Sequence, residues 1–112
     1  MISSTAAWSA LVAEAEVQKG TGRHLKTLLS DGARCRALVA EHEGIVLDYS
    51  RENVTTETMS KLYDLAKAAN LQGKIAAMAS GEHINNTENR AVMHMALRAP
   101  PSKSIGESVS LL

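Results

Sequence analysis

Several groupings in this sequence have the residue types from which reactive sites are built. Glu41-His42-Glu43 places an imidazole between two carboxylates, the raw material of an acid–base pair or a metal site. Cys35 supplies a thiol, and Met93-His94-Met95 offers two thioethers and an imidazole, donors that suit copper or haem iron. Lys19-Gly20-Thr21-Gly22 has the composition of a phosphate-cradling loop. Each falls short on spacing or on partners. Adjacent helical residues point in different directions, so Glu41, His42 and Glu43 do not converge and read as a solvated helix end. Cys35 with His42 lacks the second Cys/His pair of a zinc site, and no pattern supplies the base that a nucleophilic thiol needs, so Cys35 reads as a small buried residue. Met at helical spacing fills cores, and His94 reads as a buried or half-buried imidazole bonded to backbone or to a carboxylate. The lysine–glycine run is too short for a phosphate loop and lacks the Walker spacing.

The densest polar stretch is Gly81-Glu82-His83-Ile84-Asn85-Asn86-Thr87-Glu88-Asn89-Arg90. A plain loop accounts for its Asn and Thr, but less well for Glu82, Glu88 and Arg90 so close to an expected helix start. Two readings compete. In one, Asn85, Thr87 and their neighbours satisfy free helix N–H groups, while Arg90 pairs with a carboxylate. In the other, that helix end holds an anion. Glu88 would repel an anion there, which favours the first. Glu82, Asn85, Thr87, Glu88, Arg90 and His94 are therefore assigned to a structural polar network.

The elements that must position these groups are mostly helical. Ser3, Ser4 or Thr5 caps a first helix whose stripe is Trp8, Leu11, Val12 and Ala15, at i, i+3, i+4 and i+7. Gly20-Thr21-Gly22 ends or interrupts it. Leu25, Leu28 and Leu29 mark a second short helix. Asp31 caps a third, on which Cys35, Leu38 and Val39 share a face. Gly44-Ile45-Val46-Leu47-Asp48-Tyr49 is an apolar, β-branched run that reads as one short strand. Its only visible pairing partner is Asn53-Val54, and an unpaired buried strand is costly. Thr55 or Thr56 caps a helix reaching about Asn70, with Met59, Leu62, Tyr63, Leu65, Ala66 and Ala69 inward. Leu71, Ile75 and Met78 mark another, ended by Gly81. Asn86 or Thr87 caps a last helix from Glu88 to about Arg98, which Pro100-Pro101 stops. The fold class is thus mainly α: about five to six short helices and one short extended strand. Residues 101–112 read as a disordered tail.

Composition narrows the function classes. The 112 residues suit one compact domain. Apolar residues make up 45%, but 17 of them are Ala, aromatics are 3% and Phe is absent, so a core made from this chain alone is thin. Lys+Arg and Asp+Glu are 12 each and evenly mixed, which leaves no basic stripe for nucleic acid or a membrane surface. No apolar run nears the ~20 residues of a membrane helix. The start, Met1-Ile2-Ser3-Ser4-Thr5, lacks the n-region and h-region of a secretory signal, and a single Cys cannot form an internal disulfide. A cytoplasmic location is expected. Asn53-Val54-Thr55 and Asn85-Asn86-Thr87 fit the glycosylation pattern but would stay unmodified there.

The run from Gly81 to Arg98, with Ala91-Val92-Met93-His94-Met95-Ala96-Leu97 after Arg90, resembles the N-terminal signature of the glucose-6-phosphate isomerase (phosphoglucose isomerase) family. Leu47-Asp48-Tyr49-Ser50-Arg51, followed by Thr56-Glu57-Thr58-Met59, is a second match at the right separation. Thr5-Ala6-Ala7-Trp8 and His24-Leu25 with Leu28 are weaker ones. Cys35-Arg36, Thr55 through Met59 and Leu97-Arg98-Ala99-Pro100 resemble the plant-type cytosolic form. The similarity runs from about Thr5 to Pro100, and residues 101–112 read as an unmatched tail. One departure is Ala79 after Met78, where the family usually has Phe; it exchanges a large packing group for a methyl.

The resemblance implies the interconversion of glucose 6-phosphate and fructose 6-phosphate in glycolysis and gluconeogenesis. A histidine opens the sugar ring, a glutamate moves the proton through an enediol, and a Ser/Thr-rich loop grips the phosphate. It also implies a cytosolic homodimer of α/β/α sandwich domains that needs no metal or other cofactor. The positions carrying those roles lie beyond the matched segment, so no catalytic, substrate-binding or metal residue is assigned here. The chain is expected to be the N-terminal helical layer of such an enzyme, residues 1–100, without its catalytic body and inactive alone. Its sugar phosphates would belong to the intact enzyme only. Two other readings stand beside this one: an interaction module that docks on a full-length isomerase subunit through exposed apolar faces, and an independently folded small helical protein.

Overall fold

The computed structural model describes residues 1–100, so the expected tail at 101–112 lies outside the described residues. The chain divides into two compact units, Met1–Ala69 and the part from Asn70 onward, where length alone suggested one domain. The division falls at Asn70, whose φ of 51° is left-handed and breaks the helical path; Asn tolerates that region better than most residues.

In the first unit, a 3₁₀ turn at Ile2–Ser4 leads to α1, Ala6–Gln18. Of the three expected caps the structure uses Thr5, whose Oγ1 accepts from the Trp8 N–H. After a second 3₁₀ turn, Thr21–Arg23, come α2, Leu25–Leu29, and α3, Gly32–Ala37. His24 caps α2 through Nδ1, and Asp31 caps α3 by accepting from Ala33 and Arg34 N–H, both at 3.0 Å. α4, Thr56–Ala68, starts with a capping box in which Thr55 and Thr58 satisfy each other's N–H groups. In the second unit α5, Leu71–Ser80, ends at Gly81 in the left-handed region, as expected.

The strand has the partner that its sequence context hid. β1, Val39–His42, pairs antiparallel with β2, Ile45–Asp48, in the register Val39↔Asp48, Ala40↔Leu47, Glu41↔Val46 and His42↔Ile45. The turn is Glu43-Gly44, with φ of 49° and 80°. Two left-handed central residues are the mark of the tight hairpin turn whose twist matches its strands. Val39 therefore leaves the helical face it was expected to share with Cys35 and Leu38. Asn53-Val54 pairs with neither strand.

Two helical faces also differ from expectation. On α1 the covered residues are Ala7, Leu11, Glu14 and Gln18, whereas Trp8 is 41% exposed and Val12 is exposed. The helix is turned by about 70° from the expected stripe at about 100° per residue. Ala on several sides gives α1 no dominant apolar face, so the charge at Glu14 decides the orientation. On α4, Met59, Leu65 and Ala66 are at least half-buried, but Leu62 and Tyr63 face solvent. Leu71 and Ile75 of α5 are exposed too, leaving Met78 half-buried. Among the described residues the buried apolar side chains are only Leu28, Leu38 and Ala96, with Leu38 at 1% exposure.

The last expected helix does not form. Residues 86–89 make a turn instead, and only a 3₁₀ turn, Ala96–Arg98, follows. The Asn85 side chain captures the N–H groups of Thr87 and Glu88, at 3.2 and 3.3 Å. Asn89 then takes φ 50°, and Asn85 and Arg90 close the loop as an isolated antiparallel bridge. Side-chain capture of backbone donors is how Asn competes with helix formation.

Candidate functional site

Two polar centres are built in the first unit, and neither was singled out in the sequence. The first joins α1 to α4. Glu14 is 3% exposed, and its carboxylate accepts from the Thr58 hydroxyl at 2.8 Å, from Gln18 Nε2 at 2.9 Å and from Lys61 Nζ. Gln18 Nε2 also reaches Thr58 Oγ1 at 3.0 Å, and Lys61 pairs with Glu57 at 3.0 Å. Thr58, Lys61 and Leu65 lie at i, i+3 and i+7, one face of α4, opposite Leu11, Glu14 and Gln18 of α1. A buried carboxylate is tolerated because every neighbour donates to it.

The second centre is Arg34 of α3, a buried guanidinium with no carboxylate among its partners. Nε donates to the Val54 carbonyl at 2.8 Å, Nη1 to Ser50 at 2.9 Å and Leu28 at 3.3 Å, and Nη2 to Glu52 at 2.7 Å. The planar fork thus fixes the segment between β2 and α4 to the end of α2.

The expected network at 82–90 forms only in part. Asn85 Oδ1 accepts from Thr87 N–H, Thr87 Oγ1 at 2.8 Å and Glu88 N–H, and Asn85 Nδ2 donates to Glu88 at 3.4 Å. Glu82 lies apart and accepts from Ser80 Oγ at 3.2 Å. Arg90 joins through its backbone alone, and among the described residues its guanidinium has no ion-pair partner. His94 is exposed, not buried, and only its carbonyl is bonded, by Arg98. Arg90 closes the 86–89 turn and His94 precedes the 3₁₀ turn, so neither is carried on the helix expected there. Glu41, His42 and Glu43 sit exposed on the hairpin, not on a helix end, and Cys35 is half-buried near the Leu29 carbonyl. Among the described residues no cluster of three or more His, Cys, Asp or Glu is placed to hold a metal ion.

The electrostatics decide what these centres can do. Hydrogen bonds from Lys61 and then Thr58, against the opposing effect of burial, hold Glu14 at about 2. Glu14 and Glu57 push Lys61 up, so it stays a cation. The Ser50 hydroxyl and then its N–H, at 2.9 Å, lower Asp48. Burial, then Tyr63, raises Tyr49. Each of these groups is moved away from neutrality. The lowered Glu14 and the raised Lys61 are both held in their charged forms, so the pair acts as an electrostatic tie between α1 and α4.

The arrangement defines a helical element in which a buried ion pair ties α1 to α4. Comparison with known proteins gives its relationship. The family model for phosphoglucose isomerase matches residues 48–109, more than half of the chain, and so extends past Pro100, where the sequence alone suggested that the resemblance stops. The chain is 52% identical over 100 residues to the cytosolic glucose-6-phosphate isomerase of Arabidopsis thaliana, covering 89% of this chain and 18% of that protein. It is 50% identical over 105 residues to cytosolic glucose-6-phosphate isomerase B of Oryza sativa subsp. japonica, covering 94% and 18%. For the cytosolic isomerase of Spinacia oleracea the identity is 50% over 100 residues, covering 88% and 17%. This chain belongs to the phosphoglucose isomerase family. It spans less than a fifth of the length of these curated relatives.

Proposed function

We propose that these residues form a non-catalytic helical layer of a glucose-6-phosphate isomerase, an enzyme interconverting glucose 6-phosphate and fructose 6-phosphate in the cytosol. The groups that open the sugar ring, move the proton and hold the substrate phosphate would lie on parts of the family enzyme that these 112 residues do not include. The relatives' names support the activity and the compartment. The observation that carries the non-catalytic assignment is Glu14: the one buried carboxylate of the described chain is held at about 2, the opposite of what proton abstraction at carbon requires. A coupled assay with the purified chain and fructose 6-phosphate tests this. No glucose 6-phosphate should form above a no-protein control, and measurable turnover would refute the assignment.

A second reading rests on the exposed apolar residues of the first unit. Ile45 is 74% exposed, and Val46, Leu47, Trp8 and Val12 are exposed with it. Such surfaces suit a module that docks on a full-length isomerase subunit. Mixing chain and full-length enzyme on a sizing column distinguishes the two: co-migration supports docking, and independent elution counts against it.

A further inference from the structure

The hairpin β1–β2 is open on both faces: every strand residue is exposed, with Ile45 at 74%, Leu47 at 61% and Val46 at 60%. Two strands alone are marginal in water, and further strands are the usual remedy. The ladder shows which backbone groups can take one. The Tyr49 N–H donates to the Leu38 carbonyl at 3.0 Å, so these two residues form a hydrogen-bonded pair. Bonded and non-bonded pairs alternate in an antiparallel ladder, which makes Ala40↔Leu47 and His42↔Ile45 bonded, and Val39↔Asp48 and Glu41↔Val46 non-bonded. The N–H and C=O of Val46 therefore point away from β1, and among the described residues no backbone group outside the hairpin bonds to them. Natural sheets guard such edges with Lys, Pro, charges or bulges. The β1 edge has Glu41, but β2 is uncharged from Ile45 to Leu47.

We infer that the β2 edge pairs antiparallel with β2 of a second copy of this chain, Val46 against Val46, closing a four-stranded sheet in the order β1-β2-β2-β1 about a twofold axis. The side chains select that register. Ile45 meets Leu47 of the other copy, Val46 meets its own image, and Asp48 falls beside Gly44, which has no side chain to oppose it. The apolar face of Ala40, Ile45 and Leu47 then runs unbroken across both copies. Centring the pair on Leu47 would set Val46 against Asp48, and centring it on Asp48 would set two carboxylates face to face. The two Glu41 side chains lie three strand spacings apart, about 14 Å, beyond the ~8 Å over which charges act at physiological salt. The antiparallel sense also brings the end of β2 that leads to Arg51 alongside the turn that carries Glu43 of the other copy. Neither side chain has an ion-pair partner among the described residues. A short strand pair is smaller than a standard interface, so the dimer is weak and fills only at high concentration. The assignment does not rest on the isomerase reading, since it asks only for self-association.

The test is sedimentation equilibrium of the 112-residue chain from about 20 μM to about 1 mM, with amide exchange followed by NMR over the same range. A monomer–dimer equilibrium that ends at two copies is expected. Exchange should slow at Val46 as concentration rises and stay unchanged at Glu41, whose N–H points off the opposite edge. Val46→Pro removes the bonding N–H without touching a bond of the hairpin, and should weaken association about tenfold or more. Val46→Lys keeps the backbone donor but sets two ammonium groups against each other, and should weaken it likewise. Glu41→Gln should leave it within about twofold. A chain that stays monomeric throughout, protection that appears at Glu41 and not at Val46, or growth past the dimer into filaments overturns the proposal. So does association that persists unchanged in both Val46 variants with their native spectra intact.

Discussion

Replacing Glu14 by Gln should destabilise the first unit by about 2–3 kcal/mol at pH 7, and the loss should vanish in acid. The folded carboxyl sits at about 2 against a reference value of 4.5. At about 1.4 kcal/mol per pKa unit that difference is worth about 3 kcal/mol. The partner Lys61 is 26% exposed, and solvent screening trims the figure toward 2. The sign follows from the direction of the shift. A lowered carboxyl contributes its stability fully above its unfolded value near 4.5 and loses it as pH falls toward 2. Wild type and Glu14→Gln should therefore differ by about 2–3 kcal/mol at pH 6–7, by roughly half of that near pH 3, and by little at pH 2. Urea unfolding followed by far-ultraviolet circular dichroism at each pH gives the differences. Adding Lys61→Met closes a double-mutant cycle, in which a coupling of about 1 kcal/mol or more is expected at pH 7. A difference below about 0.5 kcal/mol, or one that stays constant from pH 7 to pH 2, would show that Glu14 does not hold α1 to α4.

Other perturbations probe the remaining features. Arg34→Lys keeps the charge but cannot reach four carbonyls at once, and should cost about 2–4 kcal/mol by the same urea measurement; a loss under about 1 kcal/mol would remove the clamp from the account. Gly44→Ala places a Cβ at φ 80° and should cost about 1–2 kcal/mol, accompanied by faster amide exchange in the hairpin. Asn85→Ala removes the acceptor shared by Thr87 and Glu88, and should raise amide exchange at those two residues while changing global stability by under about 1 kcal/mol.

What the sequence made legible follows the range over which each signal acts. Thr5, Asp31 and Thr55 cap their helices and Gly81 ends one, because those contacts span four residues or fewer. The hairpin was readable in principle: Val39 to His42 has strand-compatible residues, and Glu43-Gly44 separates it from Ile45 by two residues. Asp31 starting a helix just upstream masked it, and Glu-Gly is a weaker turn signal than Asn-Gly. The last helix does not follow from its signals because Asn86 reads as a cap, whereas Asn85 captures the N–H groups of Thr87 and Glu88 and Asn89 turns left-handed, which breaks the run. Glu14 meets Thr58 and Lys61 across more than forty residues of chain, and Arg34 meets Val54 across twenty. No local pattern encodes such meetings. The one available hint was a charge on α1 flanked by Leu11 and Ala15, which reads as an exposed residue until a counter-ion is known.

The seams of the first unit respond to different conditions. One is fastened by a carboxylate that gains a proton in acid, the other by amide carbonyls that have none to gain. Acidification should therefore loosen the molecule in sequence: α1 swings off first, while the link from β2 to α4 stays anchored to α3. A partly opened form, with one helix detached and the rest intact, should be collected between pH 2 and 4.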